Sequence, residues 1–244
     1  IGDIAYFTTT PNHIQEIQKL SGETEAEIHK IMIMGGSRIA IRISSYAPDN
    51  MAIKLIECDK QKSYKLAEYM NDIIIIQGDG RNVDLLKEEG IRDMDAFIAL
   101  TDSSETNILA CLTAKELGVK KTIAEVENIQ FISTAERLNI GNIINKKLLA
   151  ASRIFQLLLD EDSSNAKCLA LSDAEVVELV AKENSKITKA AVKDLKLPSD
   201  LTIGGLVRNG HGMVVTGNTE IQPNDHVVIF CLDTALHKIE KLFN

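Results

Sequence analysis

The run Gly35-Gly36-Ser37-Arg38-Ile39-Ala40 lies between an apolar strand pattern and a helical one, where a dinucleotide-binding G-x-G-x-x-G loop belongs. Gly35 holds the first glycine position. Ser37 takes the second and Ala40 the third, where alanine suffices for helix–strand packing. A Cβ at Ser37 crowds the backbone approach to a pyrophosphate, but its hydroxyl can donate to a phosphate oxygen. Backbone N–H groups at the helix start favour an anion, and Arg38 adds a guanidinium fork for phosphate. On its own, the loop reads equally as a structural strand-to-helix turn. Glu57 follows about twenty residues later, at a strand end where a carboxylate accepts hydrogen bonds from ribose hydroxyls. A solvated strand-end glutamate is the plainer alternative. An acid there repels a 2′-phosphate, so NAD(H), ATP or ADP is favoured over NADP. Asp79-Gly80 closes the third strand and Thr101-Asp102 the fourth, on the rim where ligands of such sheets bind. Asp79 is expected beside the adenosine part and Thr101 beside the phosphates. Asp102 reads alternatively as a helix N-cap.

Strands alternating with helices must position these residues. KIMIM (30–34), AIKLIE (52–57), IIIIQ (73–77), DAFIAL (95–100), KTIAEV (121–126) and GNIIN (141–145) read as strands. The β-branched run at 73–77 predicts a strand buried on both faces. Helical patterns occupy 35–47, 61–70, 83–90, about 103–117 and 131–138. Asp102 and Glu105 have capping-box spacing for the fourth of these, and Gly118 suits its C′ position. Such alternation implies an α/β fold: a Rossmann-like, doubly wound parallel sheet, for which six strands fit the order 3-2-1-4-5-6. LLAASRIFQLLLDED (148–162) predicts a long apolar helix, either buried in its own domain or, the reading favoured by the hinge-like DEDSSNA after it, crossing over to pack against a partner chain. Beyond it the texture changes to a smaller α+β domain. EVVELVAK alternates as a half-exposed strand, and 187–197 reads as a helix ended by Pro198. LTIGGLVRNG, HGMVVTGN and HVVIFCL read as strands, with turns at Asn209-Gly210 and Gly217-Asn218, before a last helix.

Residues 3–20 and 225–242 share a pattern at constant offset. Asp3 matches Asp225, Ile14 matches Leu236, Ile17 matches Ile239, Lys19 matches Lys241 and Leu20 matches Leu242. The expected organisation is therefore the end of a preceding repeat plus linker at 1–25, a nucleotide-binding domain at 26–162 and a small domain at 163–244. The parent would be a tandem repeat about twice as long. The 244 residues carry a formal charge of −8, which argues against nucleic acid or a polybasic membrane surface as partner. No apolar run reaches the length of a membrane span, and IGDIAYF lacks the basic start and long apolar core of a secretory signal. Cys58, Cys111, Cys168 and Cys231 lack metal-ligand spacing. The last three sit among apolar neighbours, as buried thiols do.

The segment from Gly78 to Val126 resembles the KTN/RCK nucleotide-binding domain of potassium-transport regulators. It carries that family's pattern at Gly78, Asp79, Leu85, Gly90, Ile91, Asp95, Thr101, Glu105 and Asn107. Residues 187–210 and QPNDHVVIF resemble the family's C-terminal RCK_C domain. The resemblance implies a non-enzymatic cytoplasmic regulatory subunit, peripheral on the inner face of the membrane. Such a subunit binds NAD(H), or ATP/ADP, and gates a membrane-embedded potassium transporter subunit. It implies a homo-oligomer, a dimer assembling into a ring, with this chain as the second half of the tandem protein. The site expected from both readings is Gly35, Gly36, Ser37, Arg38, Glu57, Asp79, Gly80, Thr101 and Asp102. Glu125 departs from relatives that often carry arginine there. With Glu127 it disfavours a triphosphate and supports NAD(H). Two other readings compete: an NAD-dependent dehydrogenase, for which His211 and His226 lack a supporting pattern, and a ligand-free structural ring component.

Overall fold

The structure, a computed structural model, describes residues 9, 13–21, 27–158, 165–168, 174–232 and 236–243. The chain divides into two units, one of residues 26–147 and one of residues 1–25 with 148–244. Helix α1 (Ile14–Ser21) precedes the first unit in the chain.

The 26–147 unit alternates strands and helices in the order β1 (Lys30–Met34), α2 (Arg38–Tyr46), β2 (Ala52–Glu57), α3 (Lys60–Tyr69), β3 (Ile74–Gln77), α4 (Val83–Glu88), β4 (Ala96–Ala99), α5 (Ser104–Glu116), β5 (Lys121–Glu125), α6 (Ile129–Arg137) and β6 (Asn142–Ile144). The sheet order is β3-β2-β1-β4-β5-β6 and every pair is parallel, the doubly wound arrangement expected. Central β1 and β4 are apolar because both faces are covered: Ile31, Met32, Ile33 and Met34 are buried, as are Ala96 to Ala99. Leu55, Leu66 and Ala40 pack with Ile31, Ile33 and Ile98 in one cluster. β3 departs from the expectation of burial on both faces. It is one of the two edge strands, with Ile74 57% exposed, Ile75 half-buried and only Ile76 buried. Hydrophobicity alone does not reveal how many neighbours a strand will have.

Helix starts are set by side-chain caps. Asp59, Asn82 and Asn128 cap α3, α4 and α6. The cap of α5 is Ser103, which accepts from the Thr106 N–H and donates to Glu105, so the capping role expected of Asp102 falls one residue later. Gly118 follows the α5 C-cap in a left-handed conformation at φ +104°, as its position predicts. α7 (Lys146–Leu158) leaves this unit, with Leu149 and Ile154 exposed. The expected helix end at 162 lies outside the described residues.

The second unit contains a five-stranded antiparallel sheet. Its strands are β7 (Asn165–Cys168), β8 (Ala174–Val180), β9 (Leu201–Arg208), β10 (His211–Val214) and β11 (His226–Leu232), in the order β10-β9-β11-β8-β7. Strand β7 was not foreseen by pattern. Val177, Leu206, Val227 and Ile229 form its core with Ile239 and Phe243 of α8 (Leu236–Phe243). The segment 187–197 is not the helix expected. It forms two short 3₁₀ turns, Lys186–Thr188 and Val192–Asp194. The reason is tertiary: the Val192 and Lys193 N–H groups donate to the Thr219 and Gly217 carbonyls instead of to their own preceding turn. Helices α1 and α8 begin and end at corresponding positions of the internal repeat. Its strand half at 3–12 lies almost wholly outside the described residues. Among the described residues, no helix is long and apolar enough to cross a membrane.

Candidate functional site

The carboxyl ends of β1, β2, β3 and β4 enclose a cleft of about 320 Å³, at the sheet's topological switch point. Gly35, Ser37, Glu57, Asp79, Gly80, Thr101 and Asp102 line it. Gly36 joins them through its N–H, which donates to Glu57 Oε2 at 2.9 Å. Arg38 does not: it is exposed at the start of α2, on a separate apolar depression with Ile39, Arg42 and Tyr46.

The two glycines have different physical roles. Gly35 sits at φ +96°, and a Cβ there would stand 2.9 Å from the Leu100 carbonyl oxygen, so the β1–α2 turn, where it passes the end of β4, admits only glycine. A Cβ on Gly36 would meet Leu66 Cδ1 at 2.4 Å and Glu57 Oε2 at 3.0 Å. The second glycine therefore makes room for the buried carboxylate. Ser37 caps α2 by accepting from the Ala40 N–H at 3.3 Å, which leaves its hydroxyl proton to donate. The first N–H groups of α2 lack intrahelical acceptors by geometry and suit a phosphate.

Glu57 is not a solvated strand-end residue. It is 4% exposed, and each oxygen accepts two hydrogen bonds. Oε1 takes the Asp59 N–H at 2.9 Å and the Cys58 thiol at 3.5 Å, while Oε2 takes Gly36 and the Lys62 ammonium at 2.8 Å. Burial raises its pKa, but the Lys62 ammonium and the N–H groups of Asp59 and Gly36 outweigh that and hold it below the usual carboxylate range. Asp79 is likewise engaged, in a two-pronged pair with Arg81 whose closest contact is 2.7 Å. That guanidinium's hydrogen bonds lower the Asp79 pKa. Thr101 is clamped to α5: its N–H and hydroxyl both donate to Asn107 Oδ1, at 3.0 and 2.6 Å. Asn107, fully buried, returns its amide protons to the carbonyls of Thr101 and Glu125.

Pattern reading missed Lys62, Arg81 and Cys58, all of which line this cleft. A basic residue in a helix's first turn carries no sequence mark of its own. Other family-pattern residues build the frame. Leu85 fills the space over Gly78, and Asp95 accepts from the His29 and Lys30 N–H groups at the head of β1. His211 and His226 belong to the other unit and make local contacts, with the Asn209 carbonyl and the Glu178 carboxylate. Cys111 and Cys231 are buried as expected, and burial pushes the Cys111 thiol up to about 12. The side chain of Cys168 lies outside the described residues. Among the described residues, no cluster of acidic, histidine or cysteine side chains is arranged to hold a metal.

The TrkA-N domain family matches residues 31–146 and the TrkA-C domain family residues 176–244. The chain belongs to the TrkA-N/TrkA-C family. It is 31% identical over 245 residues to the Trk system potassium uptake protein TrkA of Vibrio alginolyticus, covering 99% of this chain and 54% of that protein. It is 27% identical over 235 residues to TrkA homolog 1 of Methanosarcina mazei, covering 96% of this chain and 52% of that protein. The chain thus spans about half the length of these relatives. The crystal structure of the GsuK RCK domain shares the fold, with a TM-score of 0.52 and 14% identity over 91% of this chain and 49% of that one.

Within the TrkA-N domain, Glu125 and Glu127 do not stand as bare acids. The Lys146 ammonium at the start of α7 lies 2.5 Å from Glu125 and 2.6 Å from Glu127. Hydrogen bonds to Glu125 and then Glu127 raise the Lys146 pKa, and Lys146 in turn lowers that of Glu127. Lys147 adds its positive field at Glu127, so two ammonium groups face the two carboxylates here.

Proposed function

We propose that this chain is the nucleotide-sensing part of a potassium-uptake regulator, acting from the cytoplasmic face on a membrane-embedded potassium transporter subunit. The observation that carries this reading is the pairing of a TrkA-N and a TrkA-C domain, with relatives along nearly the whole chain named for Trk potassium uptake. Residues 1–25 are then the tail of a preceding copy, 26–162 the nucleotide-binding domain and 163–244 the RCK_C domain.

The ligand is NAD(H) or an adenine nucleotide. The adenosine lies between the ends of β2 and β3, its ribose on Glu57. Its phosphates run toward the start of α2, Ser37 and Thr101. The glycine cradle, the volume of the cleft and the buried carboxylate support this placement. Glu125 and Glu127, with no phosphate-binding arginine at position 125, favour NAD(H) over ATP. Copies of the protein dimerise and assemble into a ring beneath the transporter. A nucleotide moves the gate only by binding one ring arrangement more tightly than another.

Calorimetric titration with NADH and with ATP tests the site, on the wild type and on Glu57→Ala. Loss of a hydrogen bond to a charged group predicts a fall of at least about tenfold in affinity for E57A. Thermal melting checks that the variant is folded. Unchanged affinity in a folded E57A protein overturns the ribose contact.

A further inference from the structure

We propose that Lys62 sets the specificity of this cleft as an internal competitor, which a ribose must displace from Glu57; the inference rests on the nucleotide-binding reading above. A carboxylate offers about four acceptor positions, and in Glu57 all four are filled. Two of the donors are fixed by the fold. Gly36 belongs to the β1–α2 turn. Asp59 is the N-cap of α3, held by its own bond to the Lys62 N–H at 2.9 Å. Neither N–H can leave without opening a strand-to-helix turn.

The other two donors are side chains. The Cys58 thiol is a weak donor at 3.5 Å. The Lys62 side chain is 49% exposed while its partner carboxylate is 5% exposed, so the ammonium can swing to water and the glutamate cannot. A ribose diol brings two hydroxyl donors and needs two acceptor positions. The positions it can take are those of Cys58 and Lys62. Ribose binding is therefore an exchange of an ammonium for a hydroxyl, and the strength of the Lys62 contact subtracts from the affinity of every diol-bearing ligand. A sugar lacking the 2′-hydroxyl has less to gain from the exchange. Glu57 marks where the ribose docks, and Lys62 sets how selectively the diol is taken.

The test is calorimetric titration of the wild type, K62M, K62Q and K62R with ADP and with 2′-deoxy-ADP, with thermal melting to confirm folding. A partly exposed ion pair predicts about threefold to tenfold tighter ADP binding by K62M and K62Q. The gain for 2′-deoxy-ADP is smaller, and K62R stays near the wild type. ADP binding that appears in K62M but not in the wild type also supports the competitor. ADP affinity in K62M and K62Q equal to or below the wild-type value overturns it, as does an equal gain for both nucleotides. If neither the wild type nor any variant binds ADP or NADH, the nucleotide reading falls and the proposal with it.

Discussion

Asn107 joins three elements with one side chain: it holds the end of β4 through Thr101, reaches β5 through the Glu125 carbonyl and is itself part of α5. It is fully buried, so truncation leaves several polar groups without partners or water. Asn107→Ala is expected to lower unfolding free energy by about 2–3 kcal/mol, measured by chemical denaturation. The sequence marks Asn107 only as a position in a family pattern. Its role depends on a carbonyl 18 residues away, which no local pattern reports. Gly35 was legible because its strand–glycine–helix context specifies a backbone conformation. Arg38 was misleading in a simple way. Its charge and place in the motif suggested phosphate, but it lies on a different surface depression from the cleft. Lys62 and Arg81 stayed invisible because ordinary basic residues acquire meaning only when a turn carries them over a cleft.

At the scale of elements, local chemistry predicted well wherever the chain closes its own hydrogen bonds. The two-residue turn between β9 and β10 shows this. Asn209 and Gly210 both have positive φ, at 52° and 78°, and His211 pairs with Arg208 across them. Gly210→Ala places a Cβ in the left-handed region and is expected to cost about 1 kcal/mol. Thermal melting should show a fall of roughly 4–8 °C for a unit of this size. Prediction failed where partners are distant. The apolar spacing of 187–197 is real and Ile187 is fully buried, but the backbone there pairs with the Gly217–Thr219 segment, so a helix cannot close. The four isoleucines at 73–76 promise a buried strand, whereas the order of the sheet leaves β3 at its edge.

Across the whole molecule, buried or paired carboxylates tie stability to pH. Glu57 and Asp79 in one unit are held below their ordinary pKa values, as is Asp225 in the other. Asp225 is buried, which raises its pKa, but the Arg208 guanidinium and the Gln222 N–H outweigh burial. A depressed pKa contributes stability above the unfolded value and loses it as pH falls through the folded one. Glu136 works in the opposite sense, its pKa raised by burial, so its contribution is present at low pH and lost as pH rises. The lowered groups outnumber it. The melting temperature should therefore hold between pH 8 and about pH 5, then drop as pH falls below about 4, where these carboxylates begin to protonate. A melting temperature that rises over that acid range would contradict the pairing described.

The Lys146 contact has a consequence for how the chain departs from its parallel sheet. α7 is moored at its first residue by ion pairs to Glu125, at the carboxyl end of β5, and to Glu127 just beyond it. Counter-ions reach the half-exposed Glu127 arm far more readily than the buried Glu125 arm. The mooring should accordingly slacken in steps as ionic strength climbs, shedding its outer rope before its inner one.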